Sequence, residues 1–91
     1  MSPSGGFHYR RMLLDLRMDR ASILGQSEKL ERHIALVEED LTRQREIVAD
    51  LMRHDHDPTP AMVLLRQFED LYTRLIADRN IVRRKLDYAP R

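Results

Sequence analysis

Residues 53–61 read RHDHDPTPA, the stretch of this chain whose side chains best suit chemistry. His54, His56 and Asp57 offer imidazole nitrogens and a carboxylate, donors that zinc, nickel or manganese accept when three or four converge. Their spacing speaks against convergence. Two residues apart at a helix end, His54 and His56 cannot share a face as the i, i+4 histidines of a zinc-protease helix do. A turn explains the same residues. Asp57 and Thr59 suit turns and caps, Pro58 and Pro60 stiffen the backbone, and His54 in a last helical turn complements the helix dipole. The reading is therefore a turn, with His54, His56 and Asp57 as weak metal candidates and no cofactor expected.

No other set of residues builds a reaction centre. The adjacent acids Glu38, Glu39 and Asp40 fall on different sides of a helix, with no cleft to raise a carboxyl pKa. His33 sits beside an apolar seam, where a partly covered histidine is the ordinary reading. Nucleophile-elbow, phosphate-loop, dinucleotide and zinc-protease motifs are all missing, and no cysteine is present. An enzyme is not expected. The basic run Arg79, Arg83, Arg84 and Lys85 has a second use: Arg79 and Arg83, one turn apart, share a face and could contact phosphates together with Arg84. Basic residues at a helix C-terminus also complement its dipole, and aromatic residues interleaved for base stacking are lacking there. Nucleic-acid binding is thus the alternative rather than the leading reading.

These residues need elements to hold them, and composition narrows the choice. At 91 residues there is room for one domain. Charged residues make up 34%, aromatics only 5%, and glycines number three, a mix that favours helices with solvated faces. The net charge of +1 gives no global field to draw in nucleic acid or a membrane. No apolar run approaches the roughly 18–20 residues that cross a bilayer. Arg10-Arg11 before Met12-Leu13-Leu14 do not make a targeting signal, because Asp15, Arg17 and Asp19 interrupt the apolar run. The expected location is cytoplasmic.

Periodicity supplies the helices. Leu30, Ile34, Val37, Leu41, Gln44, Val48 and Leu51 are spaced 4,3,4,3,4,3, a heptad seam with Gln44 as its one polar member. Glu28/Arg32 and Glu39/Arg43 sit four apart with the acid first, which suits surface pairing, as do Asp70/Arg74 further on. A second helix starts with Thr59 as N-cap and Pro60 at the first helical position. Leu64, Leu65, Phe68, Leu71, Tyr72, Leu75, Ile76, Val82 and Leu86 form its apolar stripe. The expected boundaries are a tail and short amphipathic helix over 1–26, then a hairpin over 27–88 (helix about 27–54, turn 55–59, helix 60–87). At Gly25 two readings stand: Ser27 caps a new helix, or one helix runs through the glycine at a cost of about 1 kcal/mol. Helices of similar length joined by a short loop fold back antiparallel. Residues 30–57 carry a net charge of −4 and residues 58–91 one of +3, which suits that pairing.

The motifs HIAxxE at 33–38, RQREIVA at 43–49, HD at 56–57, LLRxFE at 64–69 and IADR at 76–79 resemble a group of short bacterial helical-hairpin proteins. The resemblance covers roughly residues 30–86. It implies a single hairpin and no activity.

The apolar stripes are too wide for one partner helix. Leu64/Leu65, Leu71/Tyr72 and Leu75/Ile76 are adjacent pairs that spread around the second helix, and Leu36, Ile47 and Met52 lie beside the seam of the first. Ordering about 57 residues costs on the order of 85 kcal/mol, more than a lone hairpin's one-sided burial readily offsets. The expected fold is all-α: an antiparallel, coiled-coil-like two-helix hairpin that dimerises into a four-helix bundle. Leu36, Ile47, Leu65, Phe68, Tyr72 and Ile76 are its expected oligomer or partner contacts. Residues 7–24 suit packing onto the bundle or a partner better than a membrane surface, since Asp15 and Asp19 break their basic character. The expected function is a non-enzymatic interaction module, working as a homodimer or with a protein partner.

Overall fold

A computed structural model describes the backbone of residues 4–89 and the side chains of residues 20–89. Two helices account for it: α1, Ser4–Arg53, and α2, Thr59–Tyr88. Gln44 meets Ala61 near the loop and Glu31 meets Arg83 farther from it, so the helices run antiparallel. The side chains of residues 7–19, and with them the amphipathic reading of that stretch, lie outside the described residues. Among the described residues no helix is long and apolar enough to cross a membrane.

The first helix corrects the boundary at Ser27. It passes through Gly25 and Ser27 without a break. The physical reason is register: Arg20, Ile23, Ser27, Leu30 and Ile34 keep one 3,4 alternation, so the seam does not lose phase across Gly25. Ile23 is buried at 4% exposure, which sets packing on the N-terminal side of Gly25 against the glycine's helix cost of about 1 kcal/mol.

The molecule is a rod. Its principal extents are 73 × 30 × 14 Å and its radius of gyration is 20.9 Å. A compact chain of this length would have a radius near about 12 Å. At 1.5 Å per residue, the 50 residues of α1 outrun the 30 residues of α2 by about 30 Å at the end away from the loop.

One narrow seam holds the rod together. Ile34, Val37 and Leu41 of α1 close on Leu75 of α2, with Leu30, Leu65, Phe68, Leu71, Tyr72 and Ile76 packed against them. Ile23 and Val82 are also buried. Burial of one such aliphatic side chain stabilises by about 1.5–3 kcal/mol. Gln44 is buried within the seam and its Nε2 donates to the Ala61 carbonyl at 2.9 Å. A slip of the helices past one another would strand that amide, at about 1–3 kcal/mol, so Gln44 helps to fix the register.

The turn is built by three backbone bonds. The His54 N–H donates to the Asp50 carbonyl at 3.2 Å, Asp55 to Met52 at 3.4 Å and His56 to Leu51 at 2.9 Å. The last two make a Schellman cap, which needs a left-handed residue at its centre. Asp55 fills that place with φ 56°, where glycine is the usual occupant. Asp55→Gly is therefore expected to stabilise the hairpin by about 0.5–1 kcal/mol, and Asp55→Val to destabilise it by about 1–2 kcal/mol. Urea melts of the two variants check the pair, and a glycine variant no more stable than the valine variant would contradict the cap.

The start of α2 differs by one residue from the sequence reading. Thr59 is already helical and Pro58 occupies the capping position, with its carbonyl accepting from the Met62 N–H at 2.8 Å. The side chain that caps the turn is that of Asp57, whose Oδ1 accepts from the Thr59 N–H at 3.0 Å. A proline has no side-chain acceptor, so the preceding aspartate takes the role.

Candidate functional site

The loop residues do not converge. The His54 Nδ1 lies 2.7 Å from the Asp50 carbonyl, which can only accept, so Nδ1 carries the proton and donates. Asp57 is turned to the start of α2. Among the described residues no group of three or more His, Asp or Glu side chains is placed to hold a metal ion.

Hydrogen bonds from the Thr59 hydroxyl and then from its backbone N–H hold the Asp57 carboxyl below its ordinary value of 3.8. A depressed carboxyl contributes stability that is complete above the unfolded value and is lost as pH falls through the folded one. Asp57→Asn keeps an acceptor at the turn but cannot titrate. The wild-type chain is thus expected to lose stability below pH 3.8 faster than the Asp57→Asn variant does, as read from thermal midpoints along a pH series. Parallel acid profiles for the two would remove Asp57 from the account.

The phosphate candidates differ in their surroundings. Arg83 Nη2 pairs with Glu31 Oε1 of α1 at 3.5 Å. Arg79 is half-buried at a seam position of α2, with its Nε covered and without a hydrogen-bond partner. Arg84 is exposed, about 100° round the helix from Arg83. The place of Arg79 was legible in a count: Ala61, Leu65, Phe68, Tyr72, Leu75, Arg79, Val82 and Leu86 are spaced 4,3,4,3,4,3,4, so one arginine falls inside the seam.

The seam divides the rod into two sides. The residue before each seam position is rotated about 100° one way and the residue after it about 100° the other. In an antiparallel pair, the residues that follow the seam on both helices face the same side. Glu31, after Leu30, and Arg83, after Val82, touch as this rule requires. A groove of about 370 Å³ on that side is lined by Glu38, Thr42, Arg45, Glu69 and Thr73, all of them following seam residues. The opposite side carries a groove of about 380 Å³ lined by Gln26, Lys29, Asp78, Ile81 and Lys85, all of them preceding seam residues.

The six expected contact residues are distributed over this frame. Leu65, Phe68, Tyr72 and Ile76 are half-buried and pack within the hairpin. Leu36 and Ile47 remain exposed at 58% and 41%, both on the side that precedes the seam. That side also carries Leu64 and Ile81, at 41% and 45%. Sequence reading named neither as a contact, although each stands one residue before a seam position and the count of spacings would have found them.

The surface charges differ in detail from the expected pairs. Arg43 pairs with Asp40 at 3.6 Å rather than with Glu39, and Arg53 pairs with Asp50. Glu28/Arg32 and Asp70/Arg74 do not come within ion-pair distance. Such exposed pairs are each worth under about 1 kcal/mol, so the hairpin does not depend on which of them form. The family models, the curated proteins and the solved structures with which the chain was compared contain no match to it.

Proposed function

We propose that the chain is a non-catalytic helical interaction module that pairs with a second copy of itself to make a four-helix bundle. The observation that carries this reading is the imbalance of burial. The core of the hairpin is Ile23, Ile34, Val37, Leu41, Leu75 and Val82, while Leu36, Ile47, Leu64 and Ile81 stay at least 41% exposed on the side that precedes the seam, and Leu24, Met52 and Met62 at least 43% on the other. So many exposed apolar side chains on a small protein mark a surface that another molecule covers. An obligate partner of the same kind would bury them and thicken the core.

Association that stabilises the fold makes stability depend on concentration through mass action. The thermal midpoint is expected to rise over a hundredfold increase in concentration. A midpoint that stays constant over that range contradicts the reading. Nucleic-acid binding through Arg79, Arg83 and Arg84 draws less support, because Glu31 already engages Arg83 and the hairpin seam holds Arg79. A salt-sensitive mobility shift lost in Arg84→Ala would restore it.

A further inference from the structure

We infer that two copies meet through the side of the rod that precedes the seam, with α1 lying antiparallel on α1 of the partner copy about a two-fold axis between Leu41 and Thr42. This assignment rests on the self-association proposed above and adds the face, the direction and the register.

The inference comes from a palindrome on α1. His33, Leu36, Asp40, Arg43, Ile47 and Asp50 each stand one residue before a seam position, spaced 3,4,3,4,3, so they form one stripe along the helix. None of the six is buried. Turned end for end about the midpoint between Leu41 and Thr42, the stripe lays Leu36 on Ile47, Asp40 on Arg43 and His33 on Asp50. Aliphatic meets aliphatic, and acid meets base. A two-fold interface requires a surface that is its own complement, and this stripe has that property. Parallel stacking would instead set Asp40 on Asp40 and Arg43 on Arg43, which like-charge repulsion disfavours.

The centre of the stripe sets an acid beside a base. Arg43 Nη1 and Asp40 Oδ1 lie 3.6 Å apart within one chain, so two stacked copies would bring four alternating charges together. Leu64 and Ile81 of α2 lie on the same side and widen the apolar contact beyond α1. The other side exposes Leu24, Met52 and Met62 but lacks this self-complementary order. Reversing Glu31, Ala35, Glu38 and Thr42 lays Ala35 on Glu38, and the groove there is lined by polar residues.

The test uses the whole chain and two charge variants, Asp40→Arg and Arg43→Asp. Each alone places four like charges at the centre of its own dimer. Each is expected to dissociate at about tenfold higher concentration than wild type or more. Mixed in equal amounts, the two variants set a pair of arginines on one copy against a pair of aspartates on the other. A heterodimer of near wild-type affinity is then expected. A wild-type dimer with both variants equally tight would overturn the face while leaving self-association standing. A monomeric wild type would sink self-association itself.

A second measurement does not rely on charge reversal. The chain has no cysteine, so Leu36→Cys and Ile47→Cys each introduce a single thiol. Oxidation should link the two variants when they are mixed and should not link either one to itself. Equal self-linking of each variant, or no link in the mixture while the dimer persists, would rule out this register.

Discussion

Replacing Leu75 with alanine is expected to cost the hairpin about 2–4 kcal/mol. Leu75 is the one residue of α2 in the buried cluster, at 6% exposure, where it meets Ile34, Val37 and Leu41 of α1. Truncation removes its transfer free energy and leaves a cavity that two long helices cannot easily close. Small domains hold only about 5–15 kcal/mol in total, so the loss is a large share. Leu36→Ala provides the contrast. At 58% exposure its effect on the fold of one chain should stay within about 0.5 kcal/mol. Urea melts at low concentration separate the two, and equal losses would mean that the seam is not where the stability lies.

The second large effect is at Gly25. Proline there removes a helix hydrogen bond and clashes with the preceding turn, at about 3 kcal/mol or more. Alanine should do the opposite. A Cβ added at Gly25 meets nothing within 4 Å, so Gly25→Ala is expected to stabilise by about 1 kcal/mol. The pair of variants distinguishes the two readings of this region. Were Ser27 the cap of a separate helix, Gly25, two residues before it, would be loop and proline would be tolerated. Helicity and thermal stability that are unchanged in Gly25→Pro would therefore contradict a continuous α1.

How much of this was legible in the sequence depends on what kind of signal each feature leaves. The two helices and their antiparallel pairing were legible because a heptad seam repeats many times. The turn was legible because Pro58, Pro60, Asp57 and Thr59 each restrict the backbone in a known way. The shift of the cap from Thr59 to Asp57 was not, since several cap formers stood side by side and one residue of phase decides among them. Gly25 left two readings open for a related reason. Local propensity weighs a glycine and a cap former heavily, whereas the seam through Ile23 and Ser27 is a longer signal that runs across both.

The candidate contacts show a second limit. Leu65, Phe68, Tyr72 and Ile76 pointed to an outer surface because the stripe of α2 looked too wide for one partner. In the fold they pack against the core of the hairpin and remain half-buried, with part of each side chain still open. Leu36 and Ile47 stayed outside, and Leu64 and Ile81 join them. Hydrophobicity alone did not separate these groups. Position relative to the seam sets Leu65, Phe68 and Tyr72 within it and Leu36, Ile47, Leu64 and Ile81 beside it, and it brings Glu31 to Arg83, whose contact no short-range pattern announces.

Sedimentation equilibrium of the full chain tests the central claim most directly, because it weighs the particle without reference to its shape. Over micromolar concentrations the mass should rise to twice the 10.8 kDa of one chain. A mass that stays at one chain while the protein remains helical and melts cooperatively would mean that the hairpin is sufficient alone. Leu36, Ile47, Leu64 and Ile81 would then be tolerated by water, and no second copy would be needed to explain them.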